Sequence, residues 1–324
     1  MSHAIRIHAT GGPEVLRWEE VAVGAPAPGE ARVRHAAVGL NFIDTYHRSG
    51  LYPIPLPAVL GMEGAGVVEA VGPGVTEVAV GDRVAYAGGP VGAYARERLI
   101  PAHRLVPLPD SIDDVQAAGM MLKGLTAHYL VRRTYRVKPG DTVLVHAAAG
   151  GVGLLLCQWA KHLGATVIGT VSSDEKAAHA RAAGCDHPIV TSREDFVVTV
   201  RDLTGGRGVP VVYDSIGRDT WDGSLDCLAP LGLMVSYGNA SGPVPPISPL
   251  VLSAKGSLFL TRPTLMTYTA ARADLLTAAA ELFEVAGAGA LRVEVRQTYP
   301  LAEAARAHRD LEARRTVGSS VLLP

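Results

Sequence analysis

The stretch from Thr142 to Val171 constrains this chain more than any other. TVLVHA is a short β-branched run, AAGGVG (148 to 153) is a run of small residues, GVGLLLCQWAKHLG is a longer apolar segment closed by Gly164, and ATVIGTV is again β-branched. Short β-branched runs suit strands and the longer apolar run suits a helix, so the order reads strand, tight turn, helix, strand. Such a crossover joins parallel strands. Small residues in the turn let the backbone approach an anion closely, and the free N–H groups and macrodipole at the helix start stabilise it. Ala148-Ala149-Gly150-Gly151-Val152-Gly153 thus carries the dinucleotide fingerprint, with Ala148 in the first small-residue place. A glycine-rich turn that merely packs helix on strand is the competing reading, and the complete βαβ context weighs against it.

The alternation continues. A helix near DEKAAHARAAG precedes a strand at HPIV, a helix near DFVVTVRDLTGG precedes the strand VPVVYD, and the helix DTWDGSLDCL precedes the strand GLMVSYG. KGSLFLT suits an edge strand. The expected fold class is therefore α/β, with a doubly wound parallel Rossmann sheet. Residues 1 to about 120 read differently: AIRIHAT, ARVRHAAVGL, GAGVVEAVG and DRVAYAG are β-like runs punctuated by Gly and Pro, with little helical periodicity. At 324 residues the chain exceeds what one core usually organises. The expected division is a β-rich domain over 1–122, completed by 263–324, and a Rossmann domain over 123–262. The second domain is expected to begin with a helix around LKGLTAHYLVRRT. ADLLTAAAELFEVAGAGAL reads as helix, whereas VEVRQTYPL and VGSSVLLP return to strand signals and bring the C-terminus back to the first domain.

Charge excludes some functions. Lys and Arg number 30 against 31 Asp and Glu, a formal net charge of -1, which argues against wrapping nucleic acid or lying on an anionic membrane. Cys157, Cys185 and Cys227 are far apart and odd in number, so neither a disulfide framework nor a cysteine zinc cluster is indicated. No signal peptide and no run of about 18 uncharged apolar residues is present. A cytoplasmic protein is expected.

The second strand of the crossover selects the cofactor. An NAD site usually has a carboxylate about 20 residues past the glycines, bonding the ribose 2′-hydroxyl. Thr170-Val171-Ser172-Ser173 occupies that place. Asp174 follows at a helix start, where an N-cap at Ser173 or Asp174 competes with the role of ribose ligand. Lys176 lies one turn on, so Ser172, Ser173 and Lys176 suit the 2′-phosphate of NADPH; a solvated helix lysine is the competing reading.

With HAAAGGVG, the segments NFIDTYHRSGLYP (41 to 53), LKGLTAHYL (122 to 130), VVYDSIGRDTW (211 to 221) and LMVSYGNASG (233 to 242) carry a resemblance. The chain resembles the quinone oxidoreductases related to zeta-crystallin, in the medium-chain dehydrogenase/reductase superfamily, from near the N-terminus to GSSVLLP. The resemblance implies a GroES-like catalytic domain enclosing a cleft with the Rossmann domain, NADPH as cofactor, and a homodimer joined through the Rossmann sheets. It also implies that Asn41, Asp44 and Tyr46 lie by the nicotinamide and the acceptor, with Thr126 at the same end. Gly150, Gly151 and Val152 would hold the pyrophosphate, and Ser172 and Lys176 the 2′-phosphate. Thr191 falls on the adenine side, where relatives often carry a Tyr. Ser215, Tyr237, Gly238, Asn239 and Ser241 follow later strands, and Phe259, Thr261 and Arg314 would close the nicotinamide pocket.

Zinc enzymes of the same superfamily place a Cys near position 41 and Gly-His-Glu near 61 to 63. This chain has Asn41 and Gly61-Met62-Glu63, which are not a zinc ligand set, so no metal is expected. Without a Lewis acid the expected substrate is already electrophilic, a quinone or related small acceptor, reduced by hydride or single-electron transfer. Asn41 and Tyr46 are the candidate donors to the acceptor oxygen, although a packing role competes for Tyr46. Asp44 either orients Tyr46 or caps a short helix. The alternatives are an NADPH-dependent alkenal or enone reductase and a non-catalytic NADPH-binding protein.

Overall fold

A computed structural model describes residues 2–324, which divide into two units: the chain through Leu125 with Tyr268–Pro324, and Thr126–Thr267. The first unit opens with β1 (Ser2–Ile7), β2 (Arg17–Val21) and the long β3 (Glu30–Leu40), followed by helix α1 (Phe42–Ser49). After β4 (Ala58–Val59) come β5 (Glu63–Val71), β6 (Arg83–Ala87), β7 (Glu97–Pro101), β8 (Val106–Pro107) and helix α2 (Asp114–Tyr129). β3 is the organising strand, pairing antiparallel with both β5 and β7. Its side chains alternate between inside and outside as far as Ala37, and then every residue to Leu40 is buried. The strand thereby delivers Asn41 to the interior, next to a core containing Val33, Val38, Leu60, Tyr86, Tyr94 and Ile100.

Of the two alternatives for Asp44 the short capped helix is the one that forms, and a second helix starts earlier than expected. α1 is started by Asn41 in an extended conformation (φ -136°, ψ 152°) and stopped by Gly50 in the left-handed region (φ 85°). Its buried residues include Asp44, Thr45, His47 and Arg48, so no apolar stripe announces it. α2 begins near Asp114 rather than near 121, with the Asp113 carboxylate accepting from the Gln116 amide at 2.7 Å. Ala117, Ala118, Met120, Met121, Leu125 and Ala127 are all buried, and a helix buried all round shows no amphipathic period.

The second unit alternates β9 (Thr142–Val145), α3 (Gly151–His162), β10 (Thr166–Val171), α4 (Asp174–Ala182), β11 (His187–Val190), α5 (Phe196–Leu203), β12 (Val209–Asp214), α6 (Trp221–Asp226), β13 (Leu228–Ser236), α7 (Leu250–Ala254) and β14 (Phe259–Thr261). The six strands lie in the order β11-β10-β9-β12-β13-β14, and every pairing is parallel. The chain winds outward from β9 to β11 and then returns to lay β12 on the other side of β9. Such a reversal is where open α/β sheets bind ligands, at the carboxyl ends of the strands. Leu144, Ile168, Val212 and Met234 fill the core from the sheet, and Val200, Trp221 and Leu225 from the helices.

The last segment runs through α8 (Leu265–Tyr268), α9 (Arg272–Gly287), β15 (Val295–Pro300), α10 (Ala304–Glu312) and β16 (Ser319–Leu323). β16 pairs antiparallel with β3, Ser320 opposite Leu40, so the C-terminal strand completes the first unit's sheet. α10 had no counterpart in the sequence reading; it is short, and its buried face holds Ala304, Ala307 and His308. Among the described residues no helix is long and apolar enough to cross a membrane.

Candidate functional site

In the second unit the turn after β9 is shaped by backbone. Ala147 adopts φ 52°, the Gly150 amide donates to its carbonyl at 2.8 Å, and Gly150 caps α3 in an extended conformation. Ala148 and Ala149 are buried beneath the turn. A Cβ on Gly153 would collide with the Ala147 carbonyl and the Ala148 backbone, so only glycine lets the helix start press against the turn. A cradle of small residues at a helix start fits a pyrophosphate.

Because the six strands are parallel, their C-terminal ends share one edge of the sheet. Gly150–Val152, Ser172, Thr191, Ser215, Tyr237–Asn239 and Thr261 all stand along that edge, at or just past a strand end. Phe259 does not: it opens β14 and is 60% exposed. Thr126 is buried at the start of the unit. The loops after β12 and β13 interlock: the Ala240 amide donates to the Ser215 carbonyl at 3.1 Å, and the Ser241 hydroxyl donates to Ile216 O at 2.9 Å while accepting from the Asp219 amide at 3.0 Å.

At the end of β10 the Ser173 hydroxyl accepts from the Lys176 amide at 3.3 Å and caps α4. The Asp174 carboxylate is gripped by Arg193 through two bonds of 2.6 and 2.7 Å. Arg193 was not among the sequence candidates. It follows the end of β11, and nothing local in TSRED marks it. The Thr191 hydroxyl donates to Val171 O at 3.2 Å, tying the ends of β10 and β11 together.

A buried network that the sequence also left unmarked lies beneath this edge. Asp214 accepts from the amides of Ile216 (2.7 Å) and Gly217 (3.0 Å) and from the hydroxyls of Thr220 (2.7 Å) and Ser224 (2.8 Å). Having donated its hydrogen, Ser224 accepts from His146 Nε2 at 2.9 Å, and His146 Nδ1 accepts from Thr170 at 2.9 Å. Burial pushes the His146 pKa down, which keeps the ring neutral.

In the first unit Asn41 is held from two sides. Its side-chain Nδ2 donates to Glu63 Oε2 at 2.8 Å, and its backbone amide donates to Asp44 Oδ2 at 2.9 Å. Glu63 is fully buried and also accepts from the Leu122 amide (2.7 Å) and Lys123 Nζ (3.1 Å). Gly39 leaves room for that carboxylate, since a Cβ there would collide with it. Asp44 closes the first turn of α1, and its hydroxyl partner is Tyr94, at 2.9 Å, on the same Oδ2. The other oxygen, Oδ1, is buried with no partner among the described residues. Burial pushes the Asp44 pKa up to about 7; the Asn41 amide, the Tyr94 hydroxyl and the Lys123 charge pull it down, and Glu63 adds to the rise. Tyr46 is buried, with its ring edge-on to Tyr52 at 5.3 Å and near Phe42. Arg314 lies just past α10 in the left-handed region (φ 58°) and is exposed.

Beyond Tyr94 the bonding continues. Its hydroxyl lies 3.0 Å from His308 Nε2, His308 Nδ1 lies 3.0 Å from Arg48 Nη1, and Arg48 makes two bonds of 2.9 and 2.6 Å to Glu312. Zinc does not fit the residues present. Asn41 and the buried Met62 are not zinc donors, the Glu63 carboxylate is taken up by Lys123 and the Leu122 amide, and no three His, Cys, Asp or Glu among the described residues group to hold a metal.

One chain that carries both a Rossmann sheet with a glycine cradle and a β-rich unit defines a nucleotide-dependent dehydrogenase of the GroES-like kind. Residues 27–110 match the model of the alcohol dehydrogenase GroES-like domain, and residues 151–284 match that of the zinc-binding dehydrogenases. The chain is 57% identical to a quinone oxidoreductase of Pseudomonas aeruginosa over the whole of both chains, and 53% identical to a 2-haloacrylate reductase of Burkholderia sp over 100% of this chain and 99% of that one. The structure of Escherichia coli quinone oxidoreductase complexed with NADPH superposes with a TM-score of 0.98 at 51% identity, covering 99% of this chain and 100% of that one. The chain belongs to the quinone oxidoreductase family of the medium-chain dehydrogenase/reductase superfamily.

Proposed function

We propose that this protein is an NADPH-dependent quinone reductase that works without a metal. The observation that carries the cofactor half is the carboxyl edge of the second unit's sheet: the glycine cradle stands beside a second strand whose nearest carboxylate, Asp174, is neutralised by Arg193. Gly150, Gly151 and Val152 take the pyrophosphate, Ser172 and Lys176 the 2′-phosphate, and Thr191 the adenine side. Ser215, Tyr237, Gly238, Asn239, Ser241, Thr261, Thr126 and Arg314 complete the cofactor set, and Phe259, at the other end of β14, is left out of it.

When bound, NADPH supplies the reducing equivalents. What this chain adds is position and charge stabilisation. Asn41 has two N–H groups on Nδ2, and Glu63 takes one, which leaves a fixed donor for the acceptor oxygen. Tyr46 supplies the second donor, and Asp44 fixes the helix start that carries both. The acceptor is a quinone, in line with the names of the relatives. Because one relative is a 2-haloacrylate reductase, an activated C=C bond is the second reading.

The protein works in the cytoplasm, where its three buried free cysteines stay reduced. It forms a homodimer through β14, an edge strand on which Phe259 is 60% and Leu260 39% exposed. Steady-state oxidation of NADPH against quinones, 2-haloacrylates and enones tests the activity. Fastest turnover with quinones supports the proposal, preference for a C=C acceptor moves it to the second reading, and tight NADPH binding without turnover on any acceptor makes this a binding protein.

A further inference from the structure

We propose that His308 is a positioning residue for the acceptor end of the first unit, acting through Tyr94 and Asp44 on the start of α1; this rests on the assignment of Asn41 and Tyr46 to the acceptor. The inference comes from where the hydrogen atoms must lie. Arg48 carries only donors, and its Nη1 is 3.0 Å from His308 Nδ1, so that ring nitrogen accepts. His308 is fully buried, and burial with the Arg48 charge beside it pushes its pKa down to about 3, so the ring is neutral and its one hydrogen sits on Nε2. That hydrogen points at the Tyr94 oxygen, 3.0 Å away. Burial and the Asp44 charge hold the Tyr94 hydroxyl well above its ordinary range, so it keeps its hydrogen, which is left for Asp44 Oδ2 at 2.9 Å.

Every bond in this chain therefore has one direction, from Arg48 to His308 to Tyr94 to Asp44. Reversal would put a hydrogen on His308 Nδ1, facing a guanidinium that does not give one up. The chain cannot pass protons along its length, which leaves it the role of a strut. It spans α10, the segment before β7 that carries Tyr94, and α1, and it is anchored outside by Glu312, whose side chain is 37% exposed. At its inner end Asp44 Oδ2 receives Tyr94 and the Asn41 amide together. The charged groups acting on Asp44 are Lys123 and Glu63, and Arg48 stands one turn further along the same helix, bonded to His308 and Glu312. Asn41 keeps its separate anchor on Glu63, so loss of His308 displaces the donors without unfolding α1.

The test uses the full chain with NADPH and one small benzoquinone, and compares His308→Phe, His308→Gln, Tyr94→Phe and Asn41→Ala. Glutamine brings an NH2 donor for Tyr94 and a carbonyl acceptor for Arg48, enough for both neighbours. The expected result for His308→Phe is an NADPH dissociation constant within about twofold of wild type, kcat/KM for the quinone down about tenfold, and faster hydrogen exchange over residues 42–49. His308→Gln is expected to recover kcat/KM to within about threefold, and Tyr94→Phe to fall with His308→Phe. Unchanged kcat/KM in His308→Phe, or a Gln variant no better than Phe, overturns the proposal. If Asn41→Ala also leaves the quinone kinetics unchanged, the acceptor assignment falls and takes the proposal with it. If Asn41→Ala loses activity and His308→Phe does not, the strut alone is wrong.

Discussion

Two aspartates of this protein are equally hidden from water and differently served. Asp214, in the second unit, and Asp44, in the first, are both fully buried. Asp214 meets four donors, two on each oxygen, all from residues within ten positions of it. Asp44 has two donors on one oxygen and none among the described residues on the other, and one of those donors, Tyr94, is 50 positions away. Burial costs a carboxylate its hydration, and only hydrogen bonds return it. The second unit spends its aspartate on fixing the turn that carries Ser215. The first unit keeps a carboxyl group that burial pushes up to about 7.

The sharpest way to break this comparison is to make the same change in both places. Asp214→Asn turns an amide NH2 toward the Thr220 and Ser224 hydroxyls, which must give up their bonds to the carboxylate and rotate to accept, and it should cost about 2–3 kcal/mol of stability and weaken NADPH binding as the turn at 215–217 loosens. Asp44→Asn keeps an acceptor for Tyr94 and the Asn41 amide, and at pH 6 it should stay within about 1 kcal/mol of wild type. Urea denaturation of the two variants at one pH checks both. Equal losses would show that donor number does not separate the two sites.

A pH series carries the comparison further. Asp44 rises from 3.8 to about 7 on burial, so the native state holds that proton more tightly; its contribution to stability is complete below about pH 4 and is lost as pH rises through 7. His308 and His35 go the other way, from 6.5 down to about 3 and about 4, so their contributions are complete above pH 6.5 and are lost as pH falls toward 4. His146 and His47 are also pushed down by burial and add to the second group. Between about pH 4 and 6.5 the histidines outnumber the aspartate, and stability should rise with pH by at least roughly 1.4 kcal/mol per unit. Above pH 6.5 the remaining gain from the histidines and the loss from Asp44 oppose each other, and the rise should level off. Asp44→Asn should make the rise with pH between about 4 and 7 steeper, and a variant whose pH dependence matches wild type would refute the raised carboxyl.

The same contrast explains what the sequence could and could not tell. The cradle from Ala148 to Gly153 and the parallel sheet were legible because each βαβ unit signals its own strand, turn and helix, and parallel winding then gathers the strand ends on one edge. β16 was legible as a strand because VGSSVLLP is apolar. α1 was legible only as the short helix that Asp44 could cap, because its buried face is polar, and α10, which brings His308 to Tyr94 across 214 residues, was not legible at all. No local pattern encodes a hydrogen bond of that span, since it exists only once β3 and β16 are paired. Lys123 was on the page within LKGLTAHYL, but its partner Glu63 is 60 residues upstream.

At the outer end of the second unit the effects become smaller, because the groups are exposed. NADPH should bind at least about tenfold more tightly than NADH, and Lys176→Ala should narrow that gap several-fold, since removing one surface charge near a phosphate costs about 1 kcal/mol at most. Equal dissociation constants for the two cofactors in wild type would overturn the assignment of Ser172 and Lys176.

Arg193→Ala should act at the same place and less strongly. The Asp174–Arg193 pair is largely solvent-exposed, with side chains 74% and 54% accessible, so water screens it. Its bond to Arg193 is the main reason the Asp174 carboxyl lies below its ordinary range. Asp174 stays ionised at neutral pH without that partner, so the substitution leaves an uncompensated negative charge just past β10. A 2′-phosphate meets that charge as repulsion, whereas a 2′-hydroxyl can donate to it. NADPH affinity should therefore fall about two- to threefold while NADH affinity stays level or improves slightly, and the double variant Asp174→Ala/Arg193→Ala should return both toward wild type. Isothermal titration of each cofactor at low and high salt would separate the cases: a loss that salt abolishes belongs to this pair, and a loss that salt leaves untouched means that Arg193 contacts the phosphate directly.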